Sequence, residues 1–502
     1  MLCVTIGRSR HKAMIAEYNF LAEQGAELVE MRLDYIGRHI DLKRLLEKRH
    51  CPLIVTCRRR GDGGRWEKTE QERLMVLRSA IASGVDFVDL EEDIAASIPR
   101  YGSTKRIVSL HNFEHTPDNL EEIHARLAAL DADVVKIATM ANSFTDCIRM
   151  MRLVETAKIP TVGLCMGDLG VVTRVLALRL GAPFTFTTLS SDRKIAPGQV
   201  AFDTMREVYR PQEIDSETQL FGVVADPVAH SLSPHIHNAA FKHDGLNCRY
   251  LPFRIPADEL SLFLQWCKEN GIGGLSVTIP HKEAMLHLMD EAESASHGIG
   301  AINTVSLKNG VASGYNTDYR AAMDCLTEAL KTQKTMQNQA YREEDLFRGR
   351  GVLLLGAGGV AKAIGYGLRQ RGAIVAVSSR TDARAEELAS MIGGRALPWH
   401  ARHDIRVGIL VNCTPIGMHP DIDRSPYLAD KLHEDTIVFD TVYNPEQTVL
   451  VKDAKKTGCF VVNGLDMFVR QAAYQYKLFT GLEPPTQLMR ETVKRMTSSV
   501  KY

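Results

Sequence analysis

One lysine stands inside an apolar, strand-like run, Asp133-Val134-Val135-Lys136-Ile137-Ala138, and its placement has chemical consequences. Side chains alternate along a strand, so Val134, Lys136 and Ala138 share a face. If that face lines a closed barrel, Lys136 is inside it. Burial then disfavours the ammonium and favours the free amine that attacks a ketone to form a Schiff base. A lysine that reaches solvent or pairs with Asp133 is the plainer alternative. Polar residues ending the neighbouring apolar runs weigh against it: Glu30, Arg32, Arg58, Glu91, His111 and, beyond the seventh run, Arg174. A lysine, a histidine and several arginines on one rim suit an anionic carbonyl substrate.

A second chemistry lies near the C-terminal end. Gly356-Ala357-Gly358-Gly359-Val360-Ala361 follows the buried-strand run Gly351 to Leu355 and opens a helical segment, Ala361 to Arg371. That context is the one a dinucleotide fingerprint requires, with the pyrophosphate on backbone amides at the helix start. The next strand, Ile374 to Val377, ends in Ser378-Ser379-Arg380-Thr381, with Arg384 one turn on. An arginine there accommodates a 2′-phosphate, whereas a carboxylate would take the ribose hydroxyls. The expectation is NADP, read by Ser379, Arg380, Thr381 and Arg384, with NAD left as an alternative by Asp382.

The elements that must position these groups follow from periodicity. Eight short apolar, β-branched-rich runs fall between Leu2 and Thr188: Leu2 to Ile6, Glu27 to Leu33, Pro52 to Cys57, Val85 to Leu90, Arg106 to Leu110, Asp133 to Ala138, Pro160 to Cys165 and Pro183 to Thr188. Helical-period segments such as Thr69 to Ser83 separate them. The pattern predicts a (β/α)8 TIM barrel over residues 1–210, with a doubly wound open sheet as the competitor. A polar, proline-bearing stretch, 211–219, reads as a linker. Beyond it, short polar clusters follow apolar runs, as substrate loops do: Ser231-Leu232-Ser233-Pro234, Ser276-Val277-Thr278, Asn303-Thr304 and Asn316-Thr317-Asp318. Taken singly, several of these would serve as helix caps and turns.

With 502 residues the chain exceeds one ordinary core, and the length prior suggests about three domains. Sixty-one basic residues balance 61 acidic ones, so no global field recruits nucleic acid or an anionic membrane. The ten cysteines are scattered, without metal-ligand spacing, and read as reduced thiols; no metal is expected. No uncharged apolar run could span a bilayer. A strand beginning at Leu2 with no signal segment before it leads to the expectation of a cytoplasmic protein. Composition leaves the oligomeric state open.

Several separated motifs also carry a resemblance. Glu30-Met31-Arg32-Leu33-Asp34, Ser109-Leu110-His111-Asn112-Phe113, Lys136-Ile137-Ala138, Met166-Gly167 with Thr173-Arg174, and Ala196-Pro197-Gly198-Gln199-Val200 resemble type I 3-dehydroquinate dehydratase over roughly residues 1 to 210. The resemblance implies that Lys136 forms an imine with the substrate ketone and that His111 serves as base and then acid. It further implies that Arg174, with Arg58 and Arg32, holds the carboxylate and hydroxyls, and that Glu30 and Gln199 contact hydroxyls. Two departures stand out. Asp62-Gly63-Gly64 replaces the family's Glu-Gly-Gly, whose glutamate orients the histidine, and Ile195 replaces a hydroxyl residue.

From about 220 to 500 the chain resembles shikimate dehydrogenase, through Leu275-Ser276-Val277-Thr278-Ile279-Pro280-His281-Lys282, Gly314-Tyr315-Asn316-Thr317-Asp318, Val411-Asn412-Cys413-Thr414-Pro415-Ile416-Gly417-Met418, Asp440-Thr441-Val442-Tyr443-Asn444-Pro445 and Asn463-Gly464-Leu465-Asp466. Carried over by motif, Lys282 and Asp318 form the catalytic pair, while Ser231, Ser233, Thr278, Asn303, Tyr443 and Gln471 bind substrate. Thr414, Met418 and Gly464 join the cofactor set. The resemblance further implies a two-domain dehydrogenase: an α/β substrate domain over 220–330, an insertion at 331–348, a Rossmann NADP-binding domain over 349–465, and helices of 466–502 packing back. Ser276 stands where relatives commonly have asparagine. The two resemblances name consecutive steps, 3-dehydroquinate to 3-dehydroshikimate and then to shikimate. Oxidation of quinate, a class I aldolase barrel and a metabolite-sensing regulator on the same folds are the rival readings.

Overall fold

Eight short strands form one parallel sheet: β1 (Leu2–Ile6), β2 (Leu28–Arg32), β3 (Leu53–Thr56), β4 (Phe87–Glu91), β5 (Lys105–Asn112), β6 (Val134–Met140), β7 (Thr161–Met166) and β8 (Thr185–Thr188). This computed structural model describes residues 1–229 and 231–497. Each strand coincides with one of the apolar runs to within a few residues. The hydrogen-bonded order is β7-β6-β5-β4-β3-β2-β1-β8, which wraps the sheet into a nearly closed barrel and excludes the doubly wound alternative for this half. Alternation decides what goes inside. Val134 and Ala138 of β6 join Cys3, Leu28, Ile54, Ile107, Val162, Leu164 and Phe186 in one buried cluster, and Lys136 lies between them on the same face.

The remaining strands are β9 (Gln219–Ala225), β10 (Cys248–Arg254), β11 (Ile272–Val277), β12 (Glu291–Ala292), β13 (Thr304–Lys308), β14 (Val311–Tyr315), β15 (Gly351–Leu355), β16 (Ile374–Ser378), β17 (Arg395–Ala396), β18 (Ile409–Asn412), β19 (Ile437–Asp440) and β20 (Phe460–Asn463). The first six form a mixed sheet ordered β10-β9-β11-β13-β14-β12. The last six form a parallel sheet ordered β17-β16-β15-β18-β19-β20. Counted from β15, that is the 3-2-1-4-5-6 order of a Rossmann sheet, whose switch point lies between β15 and β18.

The helix Thr317–Met336 runs through the first residues of the stretch expected as an insertion, so only the residues beyond Met336 depart from regular structure. Two helices, Gly464–Thr480 and Thr486–Thr497, come after β20. On the first, Phe479 stacks on Phe221 and Tyr476 donates to Asp244. Of the expected 466–502 helical tail, 498–502 lie outside the described residues. Contact density divides the chain into two compact units, one built on Met1–Gln219 and the other on most of the residues after it. Among the described residues no helix is long and apolar enough to cross a membrane.

Candidate active sites

In the first unit, Lys136, His111, Asp62, Glu30, Arg32, Arg58, Arg174 and Gln199 all line one pocket of about 540 Å³. They arrive from separate strands, and register explains the meeting: Ser109 of β5 lies opposite Lys136 of β6, and Glu91 of β4 lies opposite Ser109. Lys136 is 5% exposed. Its Nζ stands 2.8 Å from Asp89 Oδ2, 3.7 Å from Glu30 Oε1 and 4.2 Å from the centre of the Phe186 ring. The expectation that burial alone frees the amine therefore needs correction, because two carboxylates act in the opposite direction.

The arginines divide by their partners. Arg32 makes a two-bond pair with Asp34, at 2.9 Å each. Arg58 is 2.8 Å from both Asp89 and Glu91 and donates to Ser109 at 3.0 Å. Both guanidinia line the pocket while held by these internal carboxylates, so each reaches the pocket already charge-paired. Arg174 differs: it is 1% exposed, its Nε has no partner among the described residues, and Nη2 makes a long 3.4 Å donation to the Pro197 carbonyl. Burial pushes this guanidinium down to about 10. Gln199 accepts from the amides of Ile195 and Ala196, at 2.7 and 3.1 Å, so its carbonyl oxygen shapes the adjoining loop.

His111 lies near the end of β5, half-buried, with its ring 6.3 Å from Phe113 at an interplanar angle of 17°. Burial first, then the Arg58 and Lys136 cations, hold its pKa well below the ordinary 6.5, so the ring is a neutral base near pH 7. Asp62 does not orient it. Its carboxylate pairs with Arg59, which also binds Asp93 through two bonds, and His111 Nδ1 is buried without a partner among the described residues. One methylene fewer than glutamate, together with a nearby arginine, accounts for the difference. The following glycines are needed for packing: a Cβ on Gly63, whose φ is +75°, would stand 2.2 Å from the Phe113 ring, and one on Gly64 would stand 2.0 Å from the Arg58 carbonyl oxygen.

The residue that sequence reasoning missed is Asp89. It shares a strand face with Glu91, two positions on, but it lies within the strand, where a census of strand-end polar groups passes over it. Burial alone would raise its carboxyl, yet the Arg58 and Lys136 cations together hold it well below the usual carboxylate range.

In the second unit Lys282 Nζ lies 2.6 Å from Asp318 Oδ2, both side chains being mostly buried. Each is held by its neighbours. The Ile302 amide donates to the Lys282 carbonyl at 2.9 Å. The next residue, Asn303, accepts from the Thr317 amide at 2.7 Å and donates to its hydroxyl at 2.9 Å. Asp318 occupies the first turn of its helix, which Asn316 caps through the Tyr319 amide at 3.0 Å. Asn303, expected to bind substrate, thus spends most of its amide on placing Asp318. Thr278 is half-buried after β11, Ser231 accepts from the Ser233 amide at 3.3 Å, and Ser233 is buried in the first turn of the helix Ser233–His243. Gln471 donates to the Phe468 carbonyl at 2.9 Å, while Tyr443 stacks on the Phe468 ring at 4.3 Å. Ser276, the departure from asparagine, is buried and joins a chain in which the Tyr250 hydroxyl donates to it and it donates to Gln475 at 2.7 Å.

The fingerprint folds as its context requires. Gly356 has φ +106° and no room for a Cβ, which would stand 2.9 Å from the Cys413 carbonyl oxygen. Gly358 caps the helix Gly359–Gln370 with no side-chain bond, so the first amides, of Gly359, Val360 and Ala361, are left for a ligand. Ala357 lies half-buried beside them. A Cβ on Gly359 would stand 3.3 Å from Lys282 Cδ, which places the fingerprint against the Lys282–Asp318 pair. Arg380, Thr381 and Arg384 are exposed beyond β16, with the Thr381 amide donating to Ser379 at 3.4 Å. Among the described residues neither arginine has an ion-pair partner. Thr414 donates to Asn412 at 2.7 Å, Met418 is 43% exposed, and Gly464 approaches the Val442 carbonyl too closely for any side chain.

Comparison with known proteins gives both halves a family. The type I 3-dehydroquinase model matches residues 2–216, the shikimate dehydrogenase substrate binding domain matches 223–305, and the shikimate 5′-dehydrogenase C-terminal domain matches 464–494. The chloroplastic bifunctional 3-dehydroquinate dehydratase/shikimate dehydrogenase of Arabidopsis thaliana is 36% identical, over 97% of this chain and 83% of its own length. A shikimate dehydrogenase (NADP(+)) of Methanopyrus kandleri is 40% identical over 56% of this chain and 96% of its own. The crystal structure of a shikimate dehydrogenase in complex with NADP+ superposes with a TM-score of 0.51 at 34% identity, over 57% of this chain and 98% of its own. With two sites of matching chemistry and a full-length relative that joins the same two activities, the chain belongs to the bifunctional 3-dehydroquinate dehydratase/shikimate dehydrogenase family.

Proposed function

We propose that Lys136 is the imine-forming residue of the dehydratase and that Lys282 with Asp318 manages the proton of the dehydrogenase. The observation that supports the first role most is a buried lysine sharing a pocket with a histidine held neutral. The Lys136 ammonium gives a proton to neutral His111, and the amine adds to the C3 ketone of 3-dehydroquinate. The proton returns as the carbinol oxygen leaves as water, so ammonium plus ketone becomes iminium plus water. The iminium draws electrons from the C2–H bond, His111 removes that proton, and the resulting enamine expels the C1 hydroxyl, which leaves as water with the proton from His111. Water then hydrolyses the iminium and releases 3-dehydroshikimate. Arg174 would hold the substrate carboxylate, and Gln199 and Glu30 would face hydroxyls.

In the second unit, NADPH supplies a hydride when bound. The open amides at Gly359, Val360 and Ala361 fit a pyrophosphate, and the unpaired Arg380 and Arg384 fit a 2′-phosphate. As charge grows on the C3 oxygen of 3-dehydroshikimate, Lys282 donates its proton there, and Asp318 keeps the ammonium in place and relays its replacement. Ser231, Ser233, Thr278, Tyr443 and Gln471 would contact shikimate hydroxyls and carboxylate. The M. kandleri relative supports NADP over NAD. Ten unpaired cysteines support a reducing, cytoplasmic location. Lys136→Met tests the assignment: dehydration of 3-dehydroquinate should fall by more than about 10³-fold while shikimate oxidation with NADP+ stays unchanged. Retained dehydration would overturn it.

A further inference from the structure

Asp89 lies behind Lys136 rather than in the pocket. It is 1% exposed and absent from the pocket lining, so it touches the lysine and not the substrate. Its two oxygens have separate partners. Oδ1 is 2.6 Å from Ser109 Oγ and 2.8 Å from an Arg58 nitrogen, while Oδ2 is 2.8 Å from Lys136 Nζ. The first two contacts fix the carboxylate from the side away from the lysine. Glu30 could not substitute for it: it stands 3.7 Å from Nζ, and its oxygens accept from Thr5 and Thr56 at 2.8 and 2.7 Å.

We propose that Asp89 is a positioning residue of the dehydratase, the fixed counter-ion that pairs with the Lys136 ammonium and then with the iminium made from it. The inference rests on the Schiff-base reading of Lys136 and deepens it. Imine formation turns one cation into another on the same nitrogen, so a single anion serves both states if it stays ionised throughout. Arg58, held on its far side, keeps it so, and the proton released by Lys136 therefore passes to His111 instead. The groups facing Lys136 are Cys3 on β1, Glu30 on β2, Arg58 after β3, Asp89 on β4, His111 on β5 and Phe186 on β8. Of these only Asp89 is an anion in direct hydrogen-bonded contact. Loss of its charge leaves the cation with the ring and a more distant glutamate, an arrangement that favours the neutral amine and disfavours the iminium.

The test compares the full chain with its Asp89→Asn and Asp89→Glu variants, measuring dehydration across pH and the fraction trapped by borohydride with 3-dehydroquinate. In Asp89→Asn, kcat should fall by roughly 10²- to 10³-fold with little change in KM. The pH at which trapping begins should move down by one or more pH units, and the trapped plateau should drop. Asp89→Glu, which keeps the charge at a displaced position, should hold the wild-type trapping profile and recover part of the rate. Ser109→Ala, which loosens the carboxylate without removing its charge, should lower kcat in the same direction by a smaller factor, and it decides the matter if Asp89→Asn does not fold. An Asn variant that traps with the wild-type pH profile, or a loss confined to KM, overturns this proposal alone. Absence of any adduct in the wild type overturns the Schiff-base reading itself.

Discussion

Arg174 offers a test in which stability and activity move in opposite directions. Its guanidinium is 1% exposed, no carboxylate accompanies it among the described residues, and its Nε is unpartnered. The drop from 12.5 to about 10 corresponds to roughly 3 kcal/mol by which burial disfavours the charged form. The sign follows from the direction: the group stays charged in both folded and unfolded chains below pH 10, so the cost is fully present at neutral pH and is relieved only as pH rises through 10. Arg174→Met keeps much of the volume and removes the charge. Allowing about 1 kcal/mol for the weak bond to the Pro197 carbonyl, the first unit should gain about 2 kcal/mol, or roughly 4–8 °C in its melting temperature. With the substrate carboxylate as the proposed partner of Arg174, the same change should raise KM for 3-dehydroquinate by roughly 30- to 4,000-fold, the equivalent of about 2–5 kcal/mol. Calorimetry of the free protein and initial rates of dehydration make the measurement. A variant that melts lower and keeps its KM would refute the reasoning, because Arg174 would then be a structural cation with a partner inside the fold.

Other expectations can be checked by similar assays. Lys282→Met should lower shikimate oxidation by about 10²- to 10⁴-fold and leave dehydration untouched, since the chemistry of each unit is self-contained. Gly359→Ala should reduce dehydrogenase kcat several-fold, because the new Cβ would press on Lys282 Cδ from 3.3 Å; an unchanged kcat would mean the lysine yields freely. Asp62→Glu should raise dehydration severalfold, as the longer carboxylate can reach the unpartnered His111 Nδ1, and a fall in rate would show that the Arg59 pair is the functional arrangement.

How much of the molecule is readable in the sequence depends on whether the cause is local. The barrel strands are legible because each is a short β-branched run, and the inward face of Lys136 follows from alternation alone. The nucleotide fold is legible because the glycines sit between a strand and a helix, where backbone approach demands them. The partners of Arg32 and Arg58 are not, because Asp34, Asp89 and Glu91 reach them only through strand register or a local turn that no spacing reveals. Arg174 looks like one of three equivalent arginines, yet its distinguishing property is the lack of a carboxylate partner among the described residues, which only a folded structure displays. Resemblance makes Asn303 a candidate substrate ligand, but its bonds to Thr317, across a loop brought close by β13 and β14, are visible only in the fold. The stretch 331–348 reads as an insertion, but the helix begun at Thr317 carries through its first residues to Met336 because Leu330 and Gln333 are buried.

The proposed dehydratase chemistry requires that Lys136 itself becomes bonded to substrate. Incubation of the full chain with 3-dehydroquinate and borohydride, followed by peptide mass mapping, tests it directly. The expected result is a reduced substrate adduct on the peptide carrying Lys136, absent when borohydride or substrate is omitted. An adduct on another lysine, or an unmodified Lys136 under turnover, would contradict it.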